Sequence, residues 1–274
     1  MQSRLSGNSP ATCFLLVGMA VALSGLTSIA ETEYEVVDND LFDHRHSSFA
    51  QVLQNIVSDN GRVNYALIKS DPDQLHKYLR ELARVDSELY RSWFSDQQLA
   101  YLINLYNAQT IDLILRNYPI DSIKDIGNLW RGPWGQPVVS LMGRITTLDY
   151  LEHKLIRPTF NDPRVHFALV CAAKSAPALL NEPYIAERLQ DQLNAQTRLF
   201  ILDNSRNVID LSSGILHLSM VFKWFSSDFE SQAGSLDAYI RQFLPEETAA
   251  RMHGRTFAIR HLEYDWSLND SSSP

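Results

Sequence analysis

The chain has 274 residues, 45% of them hydrophobic, with 24 basic against 32 acidic side chains. That apolar share is enough for one sizeable core without disulfide or metal staples. The acidic excess favours solubility and argues against nucleic acid as a partner.

The first thirty residues read as a signal peptide: Arg4 near the start, a polar stretch, an apolar core from Phe14 to Leu26, and Ser28-Ile29-Ala30 before a cut after Ala30. This implies a periplasmic or secreted location. The apolar core is short and rich in Ser and Gly, so no stable membrane span is expected after cleavage, an uncleaved anchor being the alternative. Cys13 precedes the core, whereas a lipid-bearing cysteine follows it. Cleavage leaves 23 basic and 32 acidic residues, a formal charge of −9, and a single cysteine, Cys171, which cannot form an intrachain disulfide. Residues 31–45 form an acidic lead, residues 46–269 a single domain, and residues 270–274 a disordered tail.

His46 to Ser58 carries Phe49, Val52, Leu53, Ile56 and Val57 at helical spacing, and Asp59-Asn60-Gly61 breaks it. Arg62 to Tyr65 reads as a short strand. Asp73 to Val85 repeats the helical pattern. Ser95, with Gln98 three residues on, predicts the N-cap of a long helix to Asn117, closed by Pro119. Trp130 to Pro137 is a loop, either a lid over a pocket or a packed surface excursion. Gln136 to Met142 predicts a strand. Thr146 and Asp149 open a helix over Leu148 to Ile156, ended by Pro158. A further helix starts near Pro183 and runs to Leu202. Val208 to Leu211 and Ile215 to Leu218 predict a hairpin around Ser212-Ser213-Gly214. Val221 to Phe229 is a packed aromatic piece, Ser235 to Leu244 a short helix, and Thr256 to Tyr264 a last strand. Helices early and strands late give a single mixed α+β domain rather than a βαβ alternation.

The run Asp162 to Cys171 reads as a strand leading into a small-residue loop, a common place for reactive groups. Strand alternation points His166 and Cys171 to opposite faces, which weakens a direct thiol–imidazole pair. Apolar neighbours predict a buried, inert Cys171, with a reactive thiol as the alternative. Asn104 and Asn107 lie one helical turn apart on an apolar helix, where amides either brace backbone or, for Asn107, orient a substrate or imidazole. Glu152 and His153 are helix neighbours whose side chains diverge by about 100°, so no shared metal is expected, and no His-Glu-x-x-His spacing occurs. Neither phosphate-binding glycine loop nor dinucleotide fingerprint is present, so no cofactor is expected. Ser175 lacks the Gly-x-Ser-x-Gly elbow of serine hydrolases. Asp265 has the chemistry to orient an imidazole.

Four segments together resemble one family: Tyr101 to Ala108, Leu151 to Arg157, Asp162 to Cys171, and Tyr264 to Leu268. The chain is similar to the family called domain of unknown function 547, as an exported bacterial-type member. The resemblance implies a shared fold and a site near the loop after Cys171. Members commonly carry a second cysteine just before the loop proline, where this chain has Ala176. The order Asn107, His166, Asp265 follows papain-like and transglutaminase-like hydrolases by analogy, making the fold cysteine-hydrolase-like.

The leading expectation is a pocket for a small molecule or peptide, a degenerate hydrolase in character. Its catalytic candidates are His166, Cys171, Asp265 and His153, and its substrate-binding candidates Asn104, Asn107, Glu152 and Ser175. The alternatives are a thiol-dependent acyl or amide hydrolase with Cys171 as nucleophile, and a cell-envelope protein that contacts a protein partner through its tryptophan loop.

Overall fold

The computed structural model describes residues 42–128 and 130–271. The stretch read as a signal peptide, most of the stretch read as an acidic lead, and residues 272–274 lie outside these. The long helix predicted from Ser95 is the organising element. It is α5 (Ser95–Asn117), with every residue from Leu99 to Leu115 buried. A helix apolar on all sides belongs in the middle of a fold. Its start differs in detail: the side chain of Gln97, not Gln98, accepts from the backbone N–H of Phe94 at 2.9 Å, so Phe94 is the N-cap and Ser95 the first helical residue.

Four helices precede it: α1 (Ser47–Ile56), α2 (Tyr65–Ser70), α3 (Asp73–Ala83) and α4 (Ser87–Ser92). The stretch predicted as a strand at Arg62 to Tyr65 is a pair of isolated bridges at Val63, and Tyr65 already begins α2 because the Asn64 side chain caps it. After α5 comes the hairpin of β1 (Val139–Leu141) and β2 (Arg144–Thr146). It turns at Met142 and Gly143, both with positive φ, the geometry of a tight two-residue hairpin loop.

The next helix is longer and less regular than predicted. Thr147, not Thr146, caps α6 (Leu148–Tyr150). A π-helical segment, Leu151–Ile156, then leads directly into α7 (Arg157–Phe160). Pro158 does not end the helix. It falls at the start of α7, where a missing N–H costs little, and the chain enters it through a bond from the Arg157 N–H to the Glu152 carbonyl.

Asp162 to Cys171 is not a strand. The Asp162 side chain accepts from the Arg164 N–H, Pro163 follows, and Pro163–Phe167 closes a 3₁₀ turn. All residues from Val165 to Val170 are buried, and a run buried on every side carries no alternation from which to read a strand. α8 (Leu189–Leu202) begins six residues beyond Pro183 after a short 3₁₀ turn. The predicted hairpin is present as β3 (Val208–Asp210) and β4 (Ile215–Leu218). The aromatic piece is helical, as α9 (Met220–Trp224) and α10 (Ser226–Ala233). Two short helices follow, α11 (Leu236–Arg241) and α12 (Glu246–Met252). The second of these was missed because Pro245 reads as a stop, although proline is equally at home just before a helix. β5 (Ala258–His261) pairs in parallel with β4, giving a sheet in the order β3-β4-β5.

The architecture is α+β. Strands lie from Val139 onward, but helices continue among them to Met252. An extended segment from Tyr264 to Ser271 ties the fold together. Its backbone bonds Ser175, Lys174, Asp121, Ala172 and Val63 in succession, and the Tyr65 hydroxyl reaches the Asn269 side chain at 2.8 Å. Asp270, expected at the head of the tail, is buried and bridges Val63, so the ordered domain extends past residue 269.

Candidate functional site

Asn104 and Asn107 brace backbone. Asn107 donates to the Ala168 carbonyl at 2.9 Å and accepts from the Val170 N–H at 3.0 Å. Asn104 makes the same two-sided contact with Tyr184, at 2.7 and 3.0 Å. One helix thus supplies, through two amides, the hydrogen bonds a neighbouring strand would give to two irregular segments. Neither amide faces an imidazole.

Beyond that clamp lies a cavity of about 230 Å³ lined by Tyr106, Glu152, His153, His166 and Cys171 among others. The π-helical segment explains how Glu152 and His153 share it. An i→i+5 turn spreads its residues over a wider circle, so adjacent side chains diverge less than the regular helix predicts. π segments recur at functional sites for this reason.

His166 is buried against Phe225, ring centroids 3.7 Å apart and nearly parallel. Its Nε2 lies 2.8 Å from Asp228 Oδ2 on α10. The same carboxylate takes a two-pronged contact from Arg157, at 2.8 and 2.9 Å. Hydrogen bonds from His166 and Arg157 hold Asp228 far below the usual carboxylate range. A carboxylate only accepts, so Nε2 carries the proton and Nδ1 a lone pair. Burial lowers the His166 pKa despite Asp228, keeping the ring neutral. Nδ1 has no hydrogen-bond partner and sits 4.0 Å from Glu152 Oε1.

Glu152 is itself buried, and that burial pushes its carboxyl from 4.5 up to about 7, with the Tyr106 hydroxyl, 3.3 Å from Oε2, pulling the other way. His153 is half-buried. Its Nδ1 accepts from Arg157 at 2.9 Å, and burial followed by the Arg157 charge lowers its pKa. The chemistry available is a proton donor and acceptor pair, Glu152 and His166, with Asp228 fixing the imidazole tautomer.

Cys171 belongs to the same cavity but not to that pair. Its Sγ bonds the Tyr264 hydroxyl at 3.2 Å, and burial pushes the thiol upward, the opposite of what a nucleophile needs. The alternative of a Cys171–imidazole pair gains nothing here: a phenol stands at the sulfur, and the run expected as a strand, which would have pointed the two residues apart, instead opens with a 3₁₀ turn. Asp265 and Ser175 are corrected. The Ser175 hydroxyl accepts from the Asp265 N–H at 2.9 Å, and the Asp265 carboxylate accepts from Ser267. Both fasten the C-terminal segment to the loop and neither lines the cavity. Ala176 is buried and lines a different cavity, of about 440 Å³.

Sequence reasoning missed Asp228, Arg157, Tyr106 and Tyr264. Asp228 had a signal, being the one carboxylate inside an aromatic stretch treated only as packing. Tyr264 is the immediate neighbour of the residue chosen in its place. Trp134 lines the cavity, whereas Trp130 is 95% exposed and, among the described residues, packs against nothing that would make the loop a packed excursion.

Among the described residues no group of three His, Cys, Asp or Glu side chains is placed to hold a metal ion, and no helix is long and apolar enough to cross a membrane. Neither a curated protein nor a solved structure matches the chain. One family profile does, over residues 90–201. That range carries Tyr106, Glu152, His153, His166 and Cys171, while Asp228, Tyr264 and Trp266 lie beyond it. Residues 90–201 are thus similar to the family described as protein of unknown function, DUF547.

Proposed function

We propose that the chain binds a small molecule or the end of a peptide in the 230 Å³ cavity and moves a proton there between Glu152 and His166. The observation that carries this is the buried His166 Nδ1, which has a lone pair, no partner, and Glu152 Oε1 4.0 Å away. A buried polar atom without a partner costs about 1–3 kcal/mol, and a ligand N–H or O–H entering the gap removes that cost. Asp228 and Arg157 hold the imidazole in one tautomer, and a carboxyl near 7 gives or takes a proton at neutral pH. Any hydrolysis at this site uses water rather than Cys171 as nucleophile. The signal-like first thirty residues favour an exported setting, periplasmic or secreted.

The test is a panel of chromogenic esters, amides and glycosides, applied to the wild type, His166→Gln and Cys171→Ala. Turnover lost in His166→Gln and kept in Cys171→Ala supports the reading. Turnover that survives His166→Gln, or that disappears with Cys171→Ala, sinks it. If no substrate turns over, ligand-induced movement of the His166 ring nitrogen resonances separates a pure binding role from no role.

A further inference from the structure

The polar atoms of the cavity are one-sided. The Tyr106 hydroxyl is directed at Glu152 and the Trp134 indole at Tyr106. The His153 Nε2 proton faces Asp149 Oδ1, 4.0 Å away, and what remains is the His166 lone pair and Glu152 Oε1, both acceptors once Glu152 is ionised. Asp149 adds another carboxylate at the rim, and no Lys or Arg lines the cavity. The lining is also rich in aromatic rings: Trp224, Tyr264 and Trp266 are in mutual contact, with centroids 4.5 to 5.6 Å apart. Trp266 already holds one ammonium on its ring, Lys124 Nζ, 3.8 Å from the centroid. Acceptors and carboxylates lining one cavity together with indole and phenol rings form the recognition pattern of a cation.

We infer that the cavity takes a primary ammonium group at the end of an alkyl chain, its N–H bonds directed at His166 Nδ1 and Glu152 Oε1 and its methylenes against Trp224 and Tyr264. The inference rests on the proposed proton-transfer site and names the chemistry of its ligand. A quaternary ammonium has no N–H for Nδ1. An anion meets Glu152 and Asp149. At about 230 Å³ the cavity suits the terminus of a ligand rather than a drug-sized molecule.

Binding a cation beside Glu152 draws its proton off. Around Glu152, whose carboxyl is raised to about 7, stand Asp149, Asp228 held far below the usual carboxylate range, Arg157 held upward by Asp228, His153 and His166 lowered by burial, and Tyr106 and Cys171 pushed upward by burial. If only the ionised carboxyl receives the ammonium, affinity rises about tenfold from pH 6 to pH 8.

The test uses the full chain with butylamine, 1-butanol and butyrate as probes. Calorimetry is run at pH 6, 7 and 8 in buffers of different ionisation enthalpy, and the His166 ring nitrogens are followed by NMR. The expected result is that butylamine alone binds, shifts Nδ1, releases protons near pH 7 and tightens about tenfold from pH 6 to pH 8, with the pH dependence lost in Glu152→Gln. Butanol or butyrate shifting Nδ1 where butylamine does not overturns the ammonium and keeps the proton-transfer site. Butylamine binding unchanged in Glu152→Gln also overturns it. No probe moving Nδ1 overturns both.

Discussion

Glu152→Gln is expected to make the protein more stable, and increasingly so as pH rises. In the folded chain burial pushes the Glu152 carboxyl from 4.5 up to about 7. Between those values the native state binds more protons than the unfolded state, so stability falls as pH rises through the window. At 1.36 kcal/mol per pKa unit, the penalty is about 3 kcal/mol at pH 8 and under about 1 kcal/mol at pH 5. Gln keeps an acceptor for the Tyr106 hydroxyl and removes the charge. Urea unfolding of both proteins at pH 5 and pH 8 reads the effect as a midpoint difference that widens with pH. His46, buried and lowered to about 3, loses stability from pH 6.5 downward in both proteins and cancels in the comparison. A variant less stable than wild type at pH 8, or a gap independent of pH, would show that Glu152 is not held protonated by its burial and would remove the basis of the proton-transfer pair.

Asn107→Ala leaves the Ala168 carbonyl and the Val170 N–H without partners. At about 1–3 kcal/mol each, the expected loss is roughly 2–6 kcal/mol by denaturant unfolding, and a loss below about 1 kcal/mol refutes the clamp. Asp228→Asn breaks the Arg157 pair and unsettles the His166 tautomer. It should cost about 1–3 kcal/mol at pH 7, and the difference from wild type should close as pH falls below the ordinary carboxylate range, because Asp228 is held lower only in the folded state. Cys171 should react slowly with a thiol reagent until denaturant unfolds the chain, since burial pushes its pKa up and Tyr264 occupies the sulfur. Rapid labelling of the folded protein would restore a thiol nucleophile.

What could be read from the sequence was set by periodicity. α5, α1, α3 and the β3–β4 hairpin announce themselves because repeating patterns and turn residues agree over many positions. The neighbourhood of His166 and Cys171 was legible as a location but not as a geometry. Apart from His166 itself, the run from Val165 to Val170 is apolar and buried, and the backbone there is fixed by an asparagine 61 residues earlier in the chain. Glu152, His153, His166 and Cys171 were singled out and share the cavity, yet the π-helical segment that lets the first two do so leaves no repeat in the sequence. Asp228 and Tyr264 reach the site from elements 62 and 93 residues beyond the groups they touch. Contacts of that separation are invisible to local pattern, whereas Ser175 and Asp265, chosen by type, satisfy each other's loops instead.

The Ser212–Ser213 turn is exposed at the tip of the β3–β4 hairpin, between the two stretches of chain that line the cavity. A single backbone cut there leaves one fragment with Tyr106, Glu152, His166 and Cys171 and another with Asp228, Tyr264 and Trp266. Neither owns a complete pocket, but the β3–β4 pairing and the bonds from residues 264–271 to Val63, Asp121 and Ala172 hold them in register. The protein is thus a natural candidate for two-piece complementation, in which the appearance of the His166–Asp228 hydrogen bond reports that two separately made halves have met.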